Sequence, residues 1–288
     1  MSSVSSAVSR IMSLQLQARI DLDQGRYQQA EKALLKALSL IDRINCSREL
    51  DAVPLYNLLG IVYKYMGNFD GAAEAYRTCR QILRSNHMED GTLAVLYHNL
   101  GGLEHSKGRY GLAERYARKG LTIREKVLGA AHPDTAADMA ALAAILHERG
   151  KYEQAKDIYL QVLSIFRKLA RRQSQYEYDV AINLNNIAAT YTALGKTEVA
   201  ETNYKKALKL KQRILGGDHP DLGMTLNNLA TLYVQQKKFK KAEPLQLRCL
   251  ALFEKNLGKQ HPRFLAARRN WEKLQASLIA QQGLCGTG

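Results

Sequence analysis

The sequence predicts an all-α protein, a solenoid of six helical hairpins with a further helix closing its C-terminal end. A turn signature recurs at Gly25-x-Tyr27-x-x-Ala30, Gly67-x-Phe69-x-x-Ala72, Gly108-x-Tyr110-x-x-Ala113, Gly150-x-Tyr152-x-x-Ala155, Gly195-x-Thr197-x-x-Ala200 and Lys237-x-Phe239-x-x-Ala242, with spacings of 42, 41, 42, 45 and 42 residues. A near-constant period of this length marks a repeat array, and each period holds two helix-length apolar patterns around its turn. Small residues also recur in register. Ala18, Gly60, Gly101, Ala143, Ala188 and Ala230 stand seven before the turn, and Ala37, Cys79, Gly120, Val162, Ala207 and Cys249 twelve after it. They let the paired helices approach closely.

Taken in order, residues 1–10 are Ser-rich and read as a flexible start without the charged and apolar regions of a secretory signal. The six repeats follow at about 11–50, 53–92, 94–134, 136–178, 181–221 and 223–262. In each, a first helix runs to the turn, where Gly takes the left-handed conformation that ends it. Lys237 departs from that rule. Second helices end in connectors, three of which read Leu128-Gly129-x-x-His132-Pro133-Asp134, Leu215-Gly216-x-x-His219-Pro220-Asp221 and Leu257-Gly258-x-x-His261-Pro262. Gly stops one helix and Pro opens the next, where its missing N–H costs nothing, and the His reads as a cap. After repeat four the connector is a longer stretch, Arg171 to Asp179, a loop that could present Tyr176 and Tyr178 to a partner. A capping helix at 264–280, with Arg268, Arg269, Glu272 and Lys273 as polar surface, closes the array, and 281–288 reads as a flexible tail.

The turn signature, the Leu-Gly-x-x-His-Pro connectors, Leu184-Asn185-Asn186-Ile187-Ala188, Leu226-Asn227-Asn228-Leu229-Ala230 and Ala242-Glu243-Pro244-Leu245 resemble tetratricopeptide (TPR) repeats of the 42-residue kinesin light chain type, over about residues 11–274. The resemblance implies a right-handed TPR α-solenoid whose first helices line a concave face, and a scaffold or adaptor that binds other proteins there.

The 288 residues carry 42 Lys and Arg against 27 Asp and Glu, and ten of the fifteen excess positive charges lie from Ala200 onward. No apolar run reaches membrane-span length, so a cytoplasmic protein is expected. Cys46, Cys79, Cys249 and Cys285 form no C-x-x-C pair, and Cys79 and Cys249 fall in a small-residue core column. The His-Pro residues sit in separate connectors and cannot converge, and no nucleotide loop or nucleophile elbow is present. No catalytic residue, metal or cofactor is therefore expected.

The chemistry-bearing feature is asparagine inside first helices, where its helix propensity is poor. Asn99, Asn186 and Asn228 stand nine before the turn; Asn57, Asn185 and Asn227 stand ten before it, in a column that also holds His98. Repeat four interrupts both with Ala140 and Ala141. Two roles are open: a ladder of amides that holds the backbone of a partner peptide in the groove, or ties between neighbouring helices. The expected partner is a peptide segment or helix of another protein, acidic if the basic surface contributes. The Tyr column at Tyr76, Tyr159 and Tyr204 reads as interhelical packing. The alternative is a nucleic-acid-associated regulator using Lys205, Lys206, Lys209, Arg213, Lys237, Lys238, Lys240 and Lys241, although no helix-turn-helix or stacking platform accompanies that charge.

Overall fold

The computed structural model describes residues 2–44, 49–88 and 91–285, and among them it contains thirteen α-helices and no strand. Five helical hairpins match predicted repeats: α1 (Ser2–Asp23) with α2 (Tyr27–Ile44), α3 (Glu49–Tyr65) with α4 (Phe69–Ser85), α5 (Gly91–Ser106) with α6 (Tyr110–Leu128), α9 (Glu177–Ala193) with α10 (Thr197–Leu215), and α11 (Asp221–Gln235) with α12 (Phe239–Leu257); α7 (Pro133–Glu148) and α8 (Tyr152–Ala170) fall at the two helix positions of the fourth repeat. Helix α13 (Pro262–Cys285) follows.

The turn glycines take the conformation the pattern requires. Gly25, Gly67, Gly108, Gly150 and Gly195 have φ between 71° and 76°, and Lys237 is forced to 58° in the same role. In the connectors, His132, His219 and His261 each use Nδ1 to accept the backbone N–H two residues on, at 3.2, 3.2 and 3.1 Å, which satisfies a donor that the helix start leaves open.

Both small-residue columns are buried throughout. Gly60 shows why size matters there: a Cβ would lie 2.3 Å from the Tyr76 ring. Cys79 and Cys249 pack as small apolar groups, and burial pushes both thiols up to about 12, so neither forms a thiolate at neutral pH. Tyr76, Tyr159 and Tyr204 are buried in the packing between helices. Cys46 lies outside the described residues, as does the side chain of Cys285.

Two boundaries differ from expectation. Helix α1 begins at Ser2, and the half-buried Ala7 and Val8 extend its apolar face through the stretch expected to be flexible. Helix α13 continues past residue 280, with Leu278 packed on the core of α9 to α12, while residues 286–288 of the expected tail lie outside the described residues. Tyr176 and Tyr178 are half-buried: the Tyr176 ring lies 6.1 Å from that of Phe166, and the Tyr178 hydroxyl donates to Asp221.

The chain divides into two compact units, Met1–Arg149 and Gly150–Gly288, and the division falls at the turn of the fourth repeat. In the first unit, one apolar cluster joins α1 to α4 around Leu34, Leu55 and Val62, and a second joins α3 to α6 around Tyr76, Leu96 and Leu103. In the second, clusters around Tyr204, Leu229 and Leu274, and around Leu222, Leu226 and Phe253, join α9 to α13.

Candidate protein-binding site

The asparagine columns meet each other across neighbouring first helices. In the first unit, the Asn99 amide on α5 donates to Asn57 Oδ1 on α3 at 2.8 Å. In the second, Asn228 Nδ2 lies 3.4 Å from Asn185 Oδ1, and Asn185 Nδ2 lies 3.4 Å from Asn186 Oδ1. Asn227 Oδ1 accepts from Asn270 of α13 at 3.0 Å and from Gln246 at 3.2 Å. The Asn99–Asn57 and Asn228–Asn185 ties thus run from the position nine before one turn to the position ten before the previous one. Asn270 stands 42 residues after Asn228, so the closing helix continues the ladder. Asn185 is buried, and Asn57, Asn99, Asn186, Asn227 and Asn228 are half-buried. The half-buried ones therefore combine a hydrogen bond with a side chain still reached by solvent.

The interruption of the ladder opens a different site. At α7 the amide position is Ala141, and His98 on α5 turns instead to Asp138: His98 Nδ1 lies 2.7 Å from Asp138 Oδ1, and Arg124 Nε on α6 donates to Asp138 Oδ2 at 3.0 Å. The Asp138 and Arg124 side chains are only 6% and 10% exposed, against 41% for His98. Burial alone would push the Asp138 carboxyl up, but hydrogen bonds and charge from His98 and Arg124 outweigh it and hold the group below its ordinary value. The buried charge is therefore paired on both oxygens. Beside it lies a cavity of about 170 Å³ lined by His98, Gly102, His105, Gly120, Ala141 and Ala144, among others. Lys64 of α3 reaches the rim, its Nζ 3.6 Å from where a Cβ on Gly102 would stand, and burial lowers its pKa.

Sequence reasoning placed Asn57, Asn99 and His98 on this face but missed Asp138, Arg124 and Asn270. Asn270 was readable from the 42-residue period alone. Asp138 carried a weaker signal, a poor helix former inside a first helix.

The eight basic residues of the expected docking face are all exposed, and they form two groups in the second unit. Lys205, Lys209 and Arg213 share one side of α10, with Lys206 beside them, and Lys205 and Arg213 are paired with Glu201 at 2.6 Å and Glu177 at 2.9 Å. Lys237, Lys238, Lys240 and Lys241 surround the α11–α12 turn. Among the described residues, no group of three His, Cys, Asp or Glu is arranged to hold a metal, and no helix is long and apolar enough to cross a membrane.

Among proteins similar to this chain is the clustered mitochondria protein homolog of Emericella nidulans, 26% identical over 157 residues, which is 54% of this chain and 13% of that protein. The Coccidioides immitis homolog is 27% identical over the same length, 54% of this chain and 12% of that protein. The chain thus spans about an eighth of those relatives. Of solved structures, BtubC (BKLC) from P. vanneervenii has a TM-score of 0.62 at 24% identity, covering 83% of this chain and 92% of that one. A kinesin light chain-like protein of Podosopora anserina with nearly identical TPR-like repeats gives 0.57 at 20%, covering 70% and 95%. A STAND protein with a tetratricopeptide repeat sensor from Pyrococcus horikoshii gives 0.69 at 17%, covering 95% and 42%. At these identities the structures speak for the fold. The tetratricopeptide repeat pattern itself matches residues 10–85, 92–168 and 179–263, and with most of its length so matched the chain belongs to the tetratricopeptide repeat family.

Proposed function

We propose that the chain is a non-enzymatic, cytoplasmic scaffold that holds a peptide segment or helix of a partner protein against its first-helix faces. Tetratricopeptide folds generally mediate protein–protein interaction. The observation that carries the reading here is the cavity where the amide ladder breaks: Ala141 and Ala144 leave space between α5 and α7, and His98, His105 and Lys64 stand around it. An apolar cavity of about 150 Å³ takes a benzene molecule, so this one matches a single branched aliphatic or one-ring side chain. Within the first unit the partner's backbone is held by the half-buried Asn99, flanked by Asn57; in the second unit Asn186 and Asn228, flanked by Asn185 and Asn227, offer a separate amide surface of the same kind. Those amides are pre-oriented by their own ties, which lowers the entropy lost on binding.

A photo-crosslinking residue at His105, which lines the cavity, is expected to capture a partner protein that the same residue at Lys126, exposed on α6, does not. Equal capture at both positions would remove the cavity from the binding site.

A further inference from the structure

In five of the six turns the residue after the turn position is basic: Arg26, Arg109, Lys151, Lys196 and Lys238. The first unit neutralises this column internally. Arg26 Nε donates to Asp21, five residues back, at 2.8 Å, and Arg109 lies 3.7 Å from Glu104, also five back. In the second unit the position five back from Lys196 is Tyr191 and that from Lys238 is Tyr233, so no carboxylate waits there. Lys196 reaches Glu153 only at 3.9 Å. Glu201, beside the α11–α12 turn, is already taken by Lys205 at 2.6 Å and by the Tyr233 hydroxyl at 2.8 Å. Lys241 lies 5.8 Å over the Tyr233 ring. Lys237, Lys238 and Lys240 are exposed; Lys237 and Lys240 form no ion pair among the described residues, and Lys238 is near enough to Glu201 to help lower its carboxyl pKa but only as one of several groups sharing it.

The backbone adds an independent observation. Lys237 sits at φ 58° where every other turn has glycine. A side chain in that conformation costs roughly 1–2 kcal/mol. Glycine would remove the cost and also one of four lysines packed into five residues. Strain retained at a site of concentrated charge points to use of that charge.

We propose that the α11–α12 turn, with Lys196 of the adjacent turn, is a docking edge for a carboxylate-rich segment of another polypeptide, separate from the first-helix cavity. A polypeptide fits better than a polyphosphate. The group is entirely lysine, which offers point charges rather than the planar fork that grips phosphate in two places. Its aromatic rings are withdrawn, with Phe239 half-buried and Tyr233 buried, so bases find no exposed ring on which to stack. Glu198, Glu201 and Glu243 interleave the lysines; they repel a uniform polyanion but leave discrete positions for single carboxylates.

The test is fluorescence anisotropy of the full chain with a labelled Asp/Glu-rich peptide of about twenty residues, at about 50 and 500 mM salt. Wild type is expected to bind at low salt and weaken as the Debye length shrinks. Lys238→Glu/Lys240→Glu/Lys241→Glu is expected to bind at least about tenfold more weakly with unchanged melting. Lys237→Gly should bind several-fold more weakly while melting higher. Gly102→Leu, in the first unit, should leave peptide affinity unchanged, which keeps this edge distinct from the cavity. If the glutamate variant does not fold, the corresponding Lys→Gln variant replaces it. Absence of peptide binding by wild type, equal binding by the charge variant, or tighter binding of mixed-sequence RNA or phosphatidylserine vesicles than of the peptide would overturn the proposal.

Discussion

Adding one carbon at a glycine has opposite consequences at two positions of the first helices. At Gly60 a Cβ would enter the buried Tyr76 ring at 2.3 Å, whereas at Gly102 it would meet only the flexible end of Lys64 at 3.6 Å. Gly60→Ala is therefore expected to lose about 1–3 kcal/mol of stability through overpacking despite its better helix propensity, and Gly102→Ala to gain up to about 1 kcal/mol. Chemical denaturation checks both, and a stabilised Gly60→Ala would contradict the packing described for α3 and α4. Asp138 is a second case. Its folded pKa lies below the ordinary 3.8, so its stabilisation is present above that pH and is lost as pH falls through the lower folded value. Asp138→Ala leaves buried Arg124 unpaired and should cost about 3–5 kcal/mol at neutral pH, with the gap to wild type closing in acid. A gap that stays constant between pH 7 and pH 2 would contradict the pairing. The turn glycines and capping histidines were legible in the sequence because each acts on its own backbone within a few residues. Asp138 was not, because its partners lie 14 and 40 residues away and meet it only once three helices pack.

At the scale of elements, neighbouring helices are joined by small-residue contacts, with histidine caps at three connectors and amide ties in several repeats. His219→Ala removes the acceptor at the start of α11 and should cost about 0.5–2 kcal/mol, as loss of an N-terminal cap does. Asn227 makes a stronger case: its one oxygen receives both Asn270 and Gln246, so Asn227→Ala leaves two donors without it and should cost about 1–3 kcal/mol. Urea unfolding of these variants separates the roles, and a neutral Asn227→Ala would show that α13 is held by its apolar contacts and by the Gln246–Ala267 hydrogen bond without the amide tie. The columns of asparagine were readable as columns. Their pairing was not, because a helical register fixes which face a side chain occupies, while the offset between stacked helices decides which neighbour it reaches. Asn270 was the exception, since the 42-residue period alone places it in the column of Asn228.

Across the whole molecule, the 42-residue period made the all-helical architecture and the hairpin order visible before any coordinates, since identical contacts must recur at identical spacing. The division into Met1–Arg149 and Gly150–Gly288 was not visible, because the fourth repeat carries the same turn signature and small-residue columns as the others. The cavity was equally hidden: it arises from what Ala141 and Ala144 lack, and an alanine in a helix is unremarkable by itself. On the proposed reading the chain presents preformed space and paired amides to a partner, so binding is expected to fail when that space is filled and the fold is kept. The most direct measurement is affinity capture on wild type and on Gly102→Leu, quantified by mass spectrometry, with thermal melting recorded for both. A protein is expected to be retained by wild type and depleted at least about tenfold, roughly 1.4 kcal/mol of binding, on the variant, whose melting temperature is equal or higher. Equal recovery of that protein on both would contradict that reading.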